Sequence, residues 1–171
     1  MNKHEIRQRF ESALRNFYRK DAKLVEYQVS ERALTHKLAE HLQKLFPHHN
    51  VDCEYNKVGD GDPKRLSLLM AGSDDCPRDC NRCHAGKCVI FPDIIVHRRG
   101  TETNLLVIEA KTAWVGKSPE RDREKLAGLT ALGQYHYQLG IAICFSATFA
   151  ETVKTIKEYP AKRQKKRSGN Q

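Results

Sequence analysis

The stretch FPDIIVHRRGTETNLLVIEAKT, residues 91–112, decides the fold. Two apolar runs, Ile94–Val96 and Leu105–Ile108, flank the polar segment Arg99–Asn104, which has the composition of a hairpin loop. Asp93 opens the first run; Glu109 and Lys111 close the second. Side chains alternate faces along a strand, so Glu109 and Lys111 share a face, and hairpin pairing brings Asp93 beside them. Two carboxylates held close together repel when both are charged. A hard divalent cation such as Mg²⁺ relieves that conflict, because it prefers oxygen ligands. With a lysine to orient an attacking water and face the developing charge, this is the set that metal-assisted phosphodiester hydrolysis requires.

Pro92-Asp93, then fifteen residues, then Glu109-Ala110-Lys111 resembles the motif of the PD-(D/E)xK nuclease superfamily, which has the restriction-endonuclease-like fold. Val51-Asp52-Cys53-Glu54-Tyr55-Asn56 and Asn104-Leu105-Leu106-Val107-Ile108-Glu109 are similar to segments of an uncharacterised group of bacterial proteins with this core. The resemblance covers about residues 30–146. It implies an α/β fold with an αβββαβ core, a central mixed sheet flanked by helices, and a metal-dependent nuclease acting on DNA. It also implies roles. Asp93 and Glu109 would hold Mg²⁺ or Mn²⁺ with the Ala110 carbonyl as a backbone ligand. Lys111 would position the attacking water, and a glutamate of the first core helix, here Glu31, would reach the metal site. An acid two residues before a lysine is by itself a weak signal; the pattern split over two adjacent strands is far more specific.

The 171 residues suffice for one domain with a core of its own. Its expected extent is 1–160, with a cysteine insertion at 73–88 and a basic, disordered tail at 161–171. The net charge of +9 favours polyanionic partners, above all nucleic acid. That charge suits a nuclease and equally the rival reading, a non-catalytic nucleic-acid-binding or protein-interaction module on the same fold. No apolar run approaches a membrane span, and no signal-peptide pattern opens the sequence, so a cytoplasmic location is expected. No base-reading helix is recognisable, which leaves room for a homodimer or for a partner subunit that supplies specificity.

Residues 3–20 read as an amphipathic helix whose Arg7, Arg9, Arg15, Arg19 and Lys20 either face DNA or are simply solvated. Residues 21–29 carry no clear element. A second helix is expected from Glu31 to Phe46, with Ser30 as N-cap and Pro47 as stop. Glu31 falls near the centre of the stripe Leu34, Leu38, Leu42, Leu45; it either points toward a site or merely complements the helix dipole. His36 and His41 read as surface or boundary residues. Val51–Val58 reads as a strand, with Glu54 on its solvated face or near the site. Ser118-Pro119 starts a helix bearing Leu126, Leu129 and Leu132. Lys125 on that helix either leans toward the site or covers the stripe with its stem while its amine stays in water, the ordinary behaviour of a boundary lysine. Trp114 stacks on a base or covers the core edge. Ile141–Phe145 reads as a buried strand and Thr148–Tyr159 as a last helix ended by Pro160.

Cys76, Cys80, Cys83 and Cys88 form C-x3-C-x2-C-x4-C in a polar segment. Four thiolates at short spacing suit a structural Zn²⁺ that ties down a loop lacking apolar residues. An iron–sulfur cluster and no metal at all are the alternatives. Disulfides are not expected in a cytoplasmic protein. His84 is a substitute ligand, and Arg78, Arg82 and Lys87 are candidate phosphate contacts. Cys53 and Cys144 read as structural.

Overall fold

A computed structural model describes residues 1–58, 61–66, 87–115, 120–131 and 135–161, and the backbone of 83–84. Five strands form a mixed sheet: β1 (Asn50–Cys53), β2 (Ile94–His97), β3 (Asn104–Thr112), β4 (Leu139–Phe145) and β5 (Lys157–Pro160). They lie side by side in chain order. All neighbours are antiparallel except β3 and β4, which are parallel. That one parallel pair requires a crossover, supplied by helix α3 (Glu120–Thr130). Helices α1 (Lys3–Glu26), α2 (Glu31–Leu45) and α4 (Phe149–Thr155) pack against the opposite face. The protein is therefore α/β, a central mixed sheet flanked by helices.

The two-residue period of β2 and β3 divides the core. Ile94, Val96, Leu106, Ile108 and Ala110 meet α1 and α2 in one cluster. Ile95 and Val107 meet Leu126 and Leu129 of α3 in the other. Because both faces of β3 are covered, its Leu105-to-Ala110 run is wholly buried, and any charge there needs an internal partner. Helix α1 contributes Ile6, Phe10, Leu14 and Phe17, all fully buried. At roughly 1.5–3 kcal/mol for each such side chain, it is an integral layer of the core.

Several elements differ from expectation. Helix α1 runs on through Asp21, where the backbone kinks (φ −125°), instead of stopping at residue 20. Asp21 accepts a hydrogen bond from the ring of buried His41 at 2.6 Å, which anchors the kink and makes His41 a core residue. Its basic face is largely engaged: Arg7 pairs with Glu158, Arg9 donates to the Leu45 carbonyl, and Arg15 lies over the Phe149 ring. The first strand ends at Cys53, because Glu54 takes a positive φ of 50° and gives its N–H to the Asp93 carbonyl. The last helix stops at Thr155; Lys157–Pro160 pairs instead with β4 as an edge strand, with Pro160 at its end where a missing donor is tolerated.

Residues 83–84 and 87–89 form a small sheet with Arg65–Leu66, in which Cys83 lies opposite Cys88. Cys88 is buried and disulfide-bonded, where no disulfide was expected. Cys76, Cys80, Arg78, Arg82 and the side chains of Cys83 and His84 lie outside the described residues, as do Leu132, Ser118-Pro119 and the tail from 162. No described helix is long and apolar enough to cross a membrane.

Candidate active site

The hairpin register places Ile94 opposite Ile108, so Asp93 stands one step further on, opposite Glu109. Strand β2 begins at Ile94, which leaves the Ala110 N–H without a strand partner. The Asp93 carboxylate takes it, at 2.7 Å. Glu54 holds the Asp93 carbonyl from the other side. Asp93 is thus fixed at both its backbone and its side chain.

Glu109 is 1% exposed and points toward α3. Its Oε2 accepts from the Lys125 ammonium, while its Oε1 has no hydrogen-bond partner. The Lys111 ammonium lies 3.0 Å from Asp122 Oδ2 and 3.5 Å from Glu31 Oε1, and donates to the Ala110 carbonyl at 2.8 Å. Lys125 is also 3.4 Å from Asp122 Oδ1. Asp93, Glu109, Lys111 and Glu31, the four residues singled out in the sequence, therefore converge. Glu31 reaches the group from the first turn of α2, where Ser30 caps the helix.

Asp122 and Lys125 complete the group. On a helix, Asp122, Lys125, Leu126 and Leu129 share one face. Lys125 lies on the stripe's edge, but its amine does not stay in water: its side chain is 12% exposed and is bonded to Glu109. Asp122 escaped the sequence reading altogether. The one available signal was an aspartate four residues before Leu126, on the buried stripe. Glu54 stands outside the group in an exposed pair with Arg32. Arg99 and His97 bind Asp52 at the far end of β2, away from this group. Trp114 packs on the core edge.

The electrostatics follow from burial. Burial pushes the Glu109 carboxyl well above its ordinary value; Asp93 and Asp122 add to the shift and Lys125 opposes it. Asp93 is raised by burial too, against the Ala110 N–H and the two lysines. For Lys111, burial pulls the pKa down, but Asp122, Asp93 and Glu31 outweigh it and hold it up. Lys125 behaves likewise, held up mainly by Glu109. Four carboxylates face two ammonium groups, a formal excess of two negative charges. Among the described residues no three His, Cys, Asp or Glu side chains form a ready cage, so a bound cation would draw on two carboxylates and a backbone carbonyl. The orphaned Glu109 Oε1 and the excess charge fit a divalent cation.

No protein-family model matches this chain, and no curated protein or solved structure does.

Proposed function

We propose that this protein is a metal-dependent nuclease of the PD-(D/E)xK type, hydrolysing phosphodiester bonds in nucleic acid, most readily DNA. The observation that carries the reading is the buried Glu109 carboxylate with an orphaned oxygen, set opposite Asp93 and two residues from Lys111. A buried carboxylate oxygen left unsatisfied costs stability, and such costs are concentrated at functional sites. The order α2-β1-β2-β3-α3-β4 of the main sheet and its helices supports the reading, since αβββαβ is the core order of the restriction-endonuclease-like fold.

Asp93, Glu109 and the Ala110 carbonyl would hold Mg²⁺ or Mn²⁺. When bound, such a cation supplies Lewis-acid polarisation of a phosphoryl oxygen. The chain's own residues do the rest. Asp122 and Glu31 hold the Lys111 ammonium charged at the mouth of the site, where it orients the attacking water and faces the charge that develops on phosphorus oxygens. Lys125 holds Glu109 in place from α3. In the reduced protein the four cysteines would bind a structural Zn²⁺ beside the hairpin.

Lys111→Ala tests the assignment. The variant is expected to fold and to bind nucleic acid as the wild type does, and to lose cleavage by at least about 10²-fold, the scale for removing one preorganised electrostatic donor. Undiminished cleavage would end the assignment.

A further inference from the structure

A cavity of about 460 Å³ opens directly from Glu109, Lys111 and Asp122 and continues over Ala142 and Cys144 to Lys154 and Lys157. The sheet register explains its course. Glu109 lies beside Ala142, and Ala142 beside Lys157, so one lateral row of the sheet runs from the carboxylate to the lysine. Two strand spacings separate the ends, about 10 Å between backbones. Ala142, small and half-buried, leaves the middle of the row open. Arg123 of α3 and the α4–β5 turn form the two walls. Thr112, also on the lining, has a buried hydroxyl with no hydrogen-bond partner.

The charges are arranged in a gradient. The inner end carries the acidic group. At the outer end Lys154 and Lys157 are exposed and form no ion pair among the described residues. A neutral metabolite has no use for two unpaired lysines here, and a divalent cation alone would use only the acidic end. A polyanion that places one phosphate at the carboxylates, neutralised there by a cation, and its neighbour at the lysines uses both ends. The volume lies near the lower part of the roughly 300–1,000 Å³ range of small-ligand pockets, room for about one nucleotide and not for a base pair.

We infer that this groove binds one unpaired nucleotide of a polynucleotide strand, with Lys154 and Lys157 taking the phosphate next to the scissile one. The inference rests on the nuclease reading and adds to it a strand form: the enzyme engages single strands or frayed ends, not the interior of an intact duplex.

The test is binding of a fluorescein-labelled single-stranded oligonucleotide in EDTA, followed by anisotropy across a salt series, for wild type and Lys154→Gln/Lys157→Gln. Each phosphate contact on a single strand adds about 0.7 to the slope of log affinity against log salt. Because the two lysines share one phosphate, the double variant should be shallower by about 0.7, so that raising salt from about 50 to about 200 mM costs the wild type about 2.6-fold more affinity than the variant. Ala142→Leu, which fills the floor without touching a charge, should weaken the same binding, while a duplex probe should be indifferent to both changes. An unchanged slope in the double variant overturns the groove even if metal-dependent cleavage is found. An equal effect on duplex overturns the strand form. Failure of the nuclease reading is distinguishable: the oligonucleotide would bind with the predicted slopes while the wild type cut nothing in Mg²⁺ or Mn²⁺.

Discussion

Replacing Lys125 with methionine isolates the pair on which the site's geometry depends. Methionine keeps an unbranched apolar side chain of similar length but removes the ammonium from Glu109. Lys125 and Glu109 are both largely buried, at 12% and 1% side-chain exposure. Breaking such a pair by removing one partner costs about 3–5 kcal/mol, because a charge is left uncompensated in the interior. For a chain of this length each kcal/mol lowers Tm by about 2–4 °C, so the expected fall is about 6–20 °C at pH ~8 in EDTA. The pH dependence has a definite sign. The folded Glu109 carboxyl is already raised well above 4.5, its unfolded value, by burial. The stability tied to its neutral form is present below that unfolded value and is lost as pH rises through the raised one. Losing Lys125 raises the folded pKa further, so the deficit should shrink on acidification toward pH ~5 as the carboxyl takes a proton. Millimolar Mg²⁺ should raise the Tm of the variant more than that of the wild type, since the cation then meets an unpaired carboxylate. Thermal melts followed by circular dichroism at two pH values, with and without Mg²⁺, give all three readouts. A wild-type Tm, or a deficit of equal size at both pH values, would refute the buried pair.

Other consequences can be checked alongside. Glu31→Gln removes a charge 3.5 Å from the Lys111 ammonium; it should leave Tm within about 2 °C and lower the cleavage rate several-fold, as expected for a partly exposed partner. Asp52→Ala strips His97 and Arg99 of their shared acceptor. It should cost about 2–3 kcal/mol, seen in denaturant melts, and leave cleavage intact, because the partners it frees, His97 and Arg99, lie at the end of β2 away from Asp93. Elemental analysis of protein purified under reducing conditions should find about one zinc per chain; protein carrying the Cys88 disulfide should have lost it.

The hairpin was legible because two faces of a buried strand impose a strict pattern, and because Asp93, Glu109 and Lys111 are its only charged residues at that end. Glu31 was legible for a related reason: a glutamate centred on a leucine stripe needs a partner. Asp122 and Lys125 were not, because their partners lie on β3, more than ten residues away in sequence, and a polar residue on an apolar helix face reads as a boundary until its neighbour is known. Strand β5 escaped because Lys157-Glu158-Tyr159 has no apolar alternation; only its pairing with β4 makes it a strand. The extension of α1 past Asp21 depends on a hydrogen bond to His41, twenty residues on, which local propensity cannot report. The break at Glu54 likewise follows from a long-range hydrogen bond to the Asp93 carbonyl.

The measurement that bears most directly on the account is cleavage of mixed nucleic acids in Mg²⁺ or Mn²⁺ by wild type and Glu109→Ala. The account predicts metal-dependent cutting by the wild type, loss of it in EDTA, and loss in the variant while oligonucleotide binding persists. No cutting by folded wild type in either metal, or equal cutting by Glu109→Ala, would contradict it.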